Sequence, residues 1–136
     1  MSILNKIRGA LENHLSTMVG APTIYYPNIA YDPDVNTTFV KLSFVPTTKE
    51  PATRGLNPWV RYDGFLSVLI CTPEGDGKGA SLDLADSILD RFAATTDISF
   101  DGIILTIDSS RLGPDYFDAP FNCQPITINW YIYHTN

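Results

Sequence analysis

The segment Trp59-Val-Arg-Tyr-Asp-Gly-Phe-Leu-Ser-Val-Leu-Ile-Cys-Thr72 alternates for its whole length. Val60, Tyr62, Leu66, Val68 and Ile70 fall on one side, the signature of a strand with one face in a core. The other side carries Trp59, Arg61, Asp63, Phe65, Ser67 and Leu69. It is half apolar, so something covers part of it. Gly64 interrupts the pattern and marks a bulge or a close backbone approach.

The glycine-rich turn Pro73–Gly79 follows, and then a helix over residues 79–94. Its expected buried stripe is Leu82, Ala85, Ile88/Leu89 and Phe92, with Asp83, Asp86, Ser87 and Asp90 opposite. On the N-terminal side, Phe39–Val45 is β-rich and Pro46 ends it. Thr47–Pro58, with Pro51, Gly55 and Pro58, reads as a long polar loop, a type usually functional or mobile. Further back, Leu4, Ile7, Leu11, His14/Leu15 and Met18 recur at helical spacing after the N-cap candidate Ser2, with Gly20 and Pro22 as stops. These predict a helix over 3–19, with His14 on the edge of its apolar stripe. Residues 21–37 read as an irregular connection with a short strand at Thr23–Tyr25.

Towards the C-terminus, Ile98–Phe100 and Ile103–Ile107 flank the hairpin dipeptide Asp101-Gly102. Ser109–Pro125 reads as irregular. In the closing strand Ile126, Ile128, Trp130 and Ile132 alternate with Thr127, Asn129, Tyr131 and Tyr133. Two amphipathic helices need one apolar surface to cover, and the alternating strands supply it. The expected fold is α+β: a mostly antiparallel sheet with both helices on one face, forming a single domain over residues 1–136.

The chain has 136 residues, 44% of them hydrophobic and 18% charged, with net charge −6. Such a length buries about 68% of its unfolded surface without help from metal or disulfide. The acidic balance argues against a module that grips phosphate backbones. Charges interleave with the apolar residues of the first 14 positions, unlike a signal peptide, and no apolar run approaches the ~20 residues that span a bilayer. A soluble, cytoplasmic chain is expected. Cys71 and Cys123 form no CxxC; each reads as a small apolar residue packed in or beside a strand, with a single bridge as the alternative.

Catalysis needs convergent, activated groups. The sequence has no GxSxG, HExxH or Cys-His signature, and only two histidines, His14 and His134. Asp32-Pro-Asp34-Val-Asn36 begins like a calcium loop but has Thr37 and Ser43 where Gly and Glu are required. Gly75-Asp-Gly-Lys-Gly79 lacks P-loop spacing, and Glu74 and Asp76 put negative charge where phosphate would sit. It reads as a turn into a helix. The carboxylates Asp83, Asp86 and Asp90 read as a solvated helix face. The aromatics Trp59, Tyr62, Phe65, Trp130, Tyr131 and Tyr133 belong to core packing and to a protein interface. No enzyme activity, cofactor or metal is expected.

Five pieces in order, Ile3-Leu-Asn-Lys-Ile-Arg-Gly-Ala-Leu-Glu12, Asn28-Ile-Ala-Tyr31, Arg61-Tyr-Asp-Gly-Phe-Leu-Ser-Val-Leu-Ile70, Thr72-Pro-Glu-Gly-Asp-Gly-Lys-Gly79 and Ala85-Asp-Ser-Ile-Leu-Asp-Arg-Phe92, resemble the phage tail terminator-like proteins, relatives of the lambda tail terminator. The resemblance spans most of the chain; the C-terminal third is its least diagnostic part. It implies a virion protein that assembles in the host cytoplasm as a ring, usually a hexamer, at the head-proximal end of a long tail. The implied partners are further copies of the chain, the tail tube protein and a head-completion or neck protein, with DNA passing through unbound and no membrane involved. Ring interfaces are heterologous. The candidates for them are Lys49, Arg54, Leu56, Trp59, Arg61, Phe65, Tyr131 and Tyr133. Asp83, Asp86 and Asp90 are candidates for an acidic lumen. Another neck or connector component is the alternative, followed by a small-molecule-binding domain using the Gly75–Gly79 turn.

Overall fold

The computed structural model describes residues 2–26, 37–51, 59–73, 75 and 78–135, the side chains of Lys78 and Thr135 excepted. The first helix, α1 (Ile3–Ser16), starts where Ser2 accepts the Asn5 N–H at 3.3 Å. Ile7, Ala10, Leu11 and Leu15 form its buried face, while Leu4 is left exposed. The helix ends three residues earlier than its apolar spacing predicts. The hydroxyls of Ser16 and Thr17 both bond the Asn13 carbonyl, and such local bonds compete with helical ones. Met18 still packs into the core beyond that end.

Among the described residues, seven strands follow around a second helix: β1 (Thr23–Tyr25), β2 (Phe39–Pro51), β3 (Trp59–Pro73), α2 (Lys78–Arg91), β4 (Asp97–Phe100), β5 (Ile103–Leu112), β6 (Tyr116–Asp118) and β7 (Phe121–Thr135). They make one sheet in the order β1-β2-β3-β7-β5-β4, with β6 also on β7. Every pairing is antiparallel except β1 with β2, which is parallel. The sheet is therefore mixed, within the expected α+β class. Asp101 (φ 45°) and Gly102 (φ 82°) make the β4–β5 turn with the two positive φ values such a hairpin needs.

The strands run further than the prolines suggested. Pro46 does not end β2. It pairs with Gly64, and the next pair is Thr48 with Asp63, so Thr47 bulges out and absorbs the break in the ladder. Thr47–Pro51, expected as loop, is strand. Ser109–Pro125 is likewise more regular than expected. Beyond a second bulge at Asp108, β5 continues to Leu112, and β7 is already underway at Phe121. Pro125 is tolerated inside β7 because β7 changes partner there from β5 to β6; its carbonyl accepts the Gly113 N–H at 2.9 Å on that side.

The sheet's inner face carries the core. Val60, Tyr62, Leu66, Val68 and Ile70 of β3 meet Ile126, Ile128, Trp130 and Ile132 of β7 beneath both helices. Gly64 is required here: a Cβ would lie 2.4 Å from the Val45 carbonyl oxygen and 2.8 Å from the Trp130 ring, which Phe44 stacks on at 5.5 Å. In α2 the buried stripe is Ser81, Ala85 and Ile88, continued by Phe92 just beyond the helix; Leu82, expected in it, is exposed. The helix stops at Arg91 rather than residue 94. His14 Nε2 donates to the Arg91 carbonyl at 2.8 Å, and Arg91 Nε donates back to the His14 carbonyl at 3.0 Å. The C-terminal ends of the two helices thus cap each other. Among the described residues no helix is long and apolar enough to cross a membrane.

Candidate subunit interface

Odd-numbered residues of β3 and β7 share the sheet's outer face, opposite the helices, because strand side chains alternate. The register pairs Arg61 with Tyr133, Asp63 with Tyr131, Phe65 with Asn129 and Cys71 with Cys123. At the Trp59 end these side chains form a fixed polar–aromatic patch. Arg61 Nη1 donates to the Tyr133 hydroxyl at 2.9 Å and Nε to Asp63 Oδ2 at 3.3 Å. The guanidinium carbon lies 4.6 Å from the Tyr131 ring centre and 5.5 Å from that of Tyr133, and the two rings meet edge to face at 5.9 Å. The Thr47 hydroxyl, brought in by the β2 bulge, donates to Asp63 Oδ1 at 3.2 Å. The hydrogen bond to Tyr133 and the contact with Asp63 push the Arg61 guanidinium further up, despite partial desolvation. Desolvation would raise the Asp63 carboxyl, but bonds from Thr48, Arg61 and Thr47 outweigh it and hold the group below its usual range. The patch keeps both charges, and each of its side chains is bonded to or stacked on another.

The structure unites some of the predicted interface residues and separates others. Arg61, Tyr131 and Tyr133 form the patch, Phe65 is half-buried beside it, and Trp59 stands 47% exposed at its end. Lys49 lies elsewhere. It pairs with Tyr62 and holds its ammonium 5.6 Å from that ring, on the core side of the sheet. It lines a groove with Leu4, Pro46 and Thr48. Arg54 and Leu56 lie outside the described residues, as do the calcium-loop positions Asp32–Asn36 and, in the glycine turn, Asp76 and Gly77. Asp83, Asp86 and Asp90 are exposed on α2, so the sheet stands between them and the Arg61 patch.

Sequence reasoning missed Asp63 as the anchor of Arg61, although two-residue spacing in a strand puts them on one face. It also missed the exposed apolar residues Ile104, Tyr116 and Phe117, which occupy stretches read as a hairpin strand or as irregular. Among the described residues no group of three or more His, Cys, Asp or Glu side chains is placed to hold a metal ion.

The fold is a two-layer α+β sandwich with an Arg–Tyr–Asp patch on the face of the sheet opposite the helices. The chain belongs to the phage tail terminator family: a family model described as phage tail terminator protein matches residues 6–130. Membership gives it a structural role in the bacteriophage tail, as a component of the virion associated with other tail or head proteins. Among the solved structures that match, one has a TM-score of 0.75 at 18% identity, covering 98% of this chain and 96% of the other, which supports the fold alone. No curated protein sequence matches the chain.

Proposed function

We propose that the chain, acting as one domain, forms a hexameric ring that caps the head-proximal end of the tail tube. The ring ends tube polymerisation and offers its other end to a head-completion or neck protein. Its role is structural and non-enzymatic and needs no cofactor. The observation that carries this reading is the Arg61–Asp63–Tyr131–Tyr133 patch in a chain of this family. Arginine and tyrosine are the residue types enriched in interface hot spots, and holding them rigid lowers the entropy cost of binding. With Trp59 and Phe65 the patch supplies one side of a heterologous contact, and a closed cycle of such contacts makes a ring.

The net charge of −6 suits a lumen through which DNA slides without being held. Asp83, Asp86 and Asp90, on the layer opposite the patch, are its proposed lining. Light scattering after size exclusion, with negative-stain images of the same fractions, tests the proposal. Rings that end purified tail tubes are expected. A chain that stays monomeric at high concentration and leaves tubes to elongate would overturn it.

A further inference from the structure

The far end of the outer face is walled by aromatic rings, and it holds the two cysteines. Cys71 and Cys123 are directly paired across the antiparallel β3–β7 ladder. Such opposed residues have Cα atoms roughly 4.5–5.5 Å apart, inside the range a disulfide requires. Their Sγ atoms lie 2.7 Å apart, and both thiols are free. Phe39 and Phe121, edge to face at 5.0 Å, wall them in, leaving Cys71 3% and Cys123 1% exposed. A cleft of about 260 Å³, lined by Lys41, Leu69, Asp118 and Pro120, opens onto the pair. A small oxidant reaches the sulfurs through it, whereas a second protein thiol is kept out.

We propose that Cys71 and Cys123 are a modification site: a dithiol that hydrogen peroxide converts into a cross-strand disulfide, stapling β3 to β7. One thiolate attacks a peroxide oxygen, the O–O bond breaks, and hydroxide leaves to become water. The resulting sulfenic acid is attacked by the second thiolate, the S–S bond forms, and the S–O bond breaks with loss of a second water. The two sulfurs lose two electrons and the peroxide gains them. The bond joins residues 52 apart in sequence, so it removes much of the unfolded chain's freedom. A virion component passes from a reducing cell to oxidising surroundings on release, where such a bond forms and persists. Burial raises both thiols, so the reaction is slow at neutral pH, which keeps the pair reduced during assembly.

The test uses the full reduced chain, exposed to hydrogen peroxide and then denatured and alkylated without reductant. The expected result is simultaneous loss of both alkylation sites and a peptide map joining Cys71 to Cys123 within one chain. Tm should rise by on the order of 10 °C, reversed by dithiothreitol. Cys123→Ala should show no such rise. If that variant does not fold, the wild-type peptide map decides alone. Two thiols still alkylated after peroxide, oxidation that stops at sulfinic acid, or a bond between two chains would each overturn the proposal. None of these readouts depends on whether the chain forms rings.

Discussion

The two faces of the β3–β7 ladder are built to different rules. On the inner face every second residue except Gly64 is apolar and buried, from Val60 to Ile70 and from Ile126 to Ile132. That face is uniform, and it is spent on the fold. The outer face is divided. Its Cys71–Cys123 end is walled by Phe39 and Phe121 and reached through a cleft, while its Trp59 end holds Arg61, Asp63, Tyr131 and Tyr133 in a bonded lattice open to solvent. The backbone and register are the same on both faces. What differs is which positions carry side chains that water does not penalise. Stability and partner contact are therefore separable by substitution on one pair of strands.

The largest effect is expected on the inner face. Gly64→Val puts a branched side chain where even a Cβ meets backbone at 2.4 Å. Relieving that clash means moving β2 or the Trp130 ring, at a cost of about 3 kcal/mol or more. Urea unfolding should show it, and a variant as stable as wild type would break the comparison. Next comes the walled outer end. Phe121→Ala opens the wall over the cysteines and should cost about 2–3 kcal/mol, less than a fully buried Phe because the site borders a cleft. It should also speed alkylation of native Cys71 and Cys123, read by timed thiol labelling.

Smaller still in stability, but larger in association, is the open end. Arg61→Ala removes partly exposed bonds, and such pairs contribute at most about 1 kcal/mol to folding. As a hot spot of the proposed interface it should weaken subunit association by on the order of 10- to 100-fold, measured by dilution in light scattering. Unchanged assembly would remove the patch from the interface. Lys49→Ala is the matched control: it lies on the opposite face of the sheet and should leave assembly unchanged if the patch alone carries the contact.

The legible part of this molecule is the part governed by local pattern. The alternation of Trp59–Thr72, the helical spacing from Leu4 to Met18 and the Asp101-Gly102 turn each report a backbone state that the neighbouring residues enforce. Gly64 was readable as a close approach for the same reason. The misjudged stretches turn on bulges. Pro46 and Pro125 ordinarily stop strands, and a sequence does not display the extra residues Thr47 and Asp108 or the change of partner along β7 that accommodate them. The site was legible in composition more than in arrangement. Arg61, Tyr131 and Tyr133 were identifiable as outward-facing, but their bonding depends on a register between segments about 70 residues apart. Lys49 was read as part of a loop because Pro46 ordinarily ends a strand; the bulge at Thr47 carries the strand on and pairs Lys49 with Tyr62.

The finest test concerns the cover of the inner face, where the helix ends cap each other. Burial pushes the His14 imidazolium below its ordinary value of 6.5; the bond to the Arg91 carbonyl opposes this and the Arg91 charge adds to it. The unfolded chain therefore binds a proton at His14 more readily than the folded chain. Stability from this group is fully present above about pH 6.5, and it declines as pH falls from there towards the lower folded value. Asp63 acts in a separate window. Its carboxyl is held below the usual 3.8, so its contribution fades only as pH falls from there towards the depressed value. His14→Gln keeps a side-chain N–H donor towards the Arg91 carbonyl without a titrating ring. Its unfolding free energy should lose the slope just below pH 6.5 while keeping the acid-range decline that Asp63 shares. An unchanged slope near pH 6 in this variant would show that the helix caps do not titrate with folding.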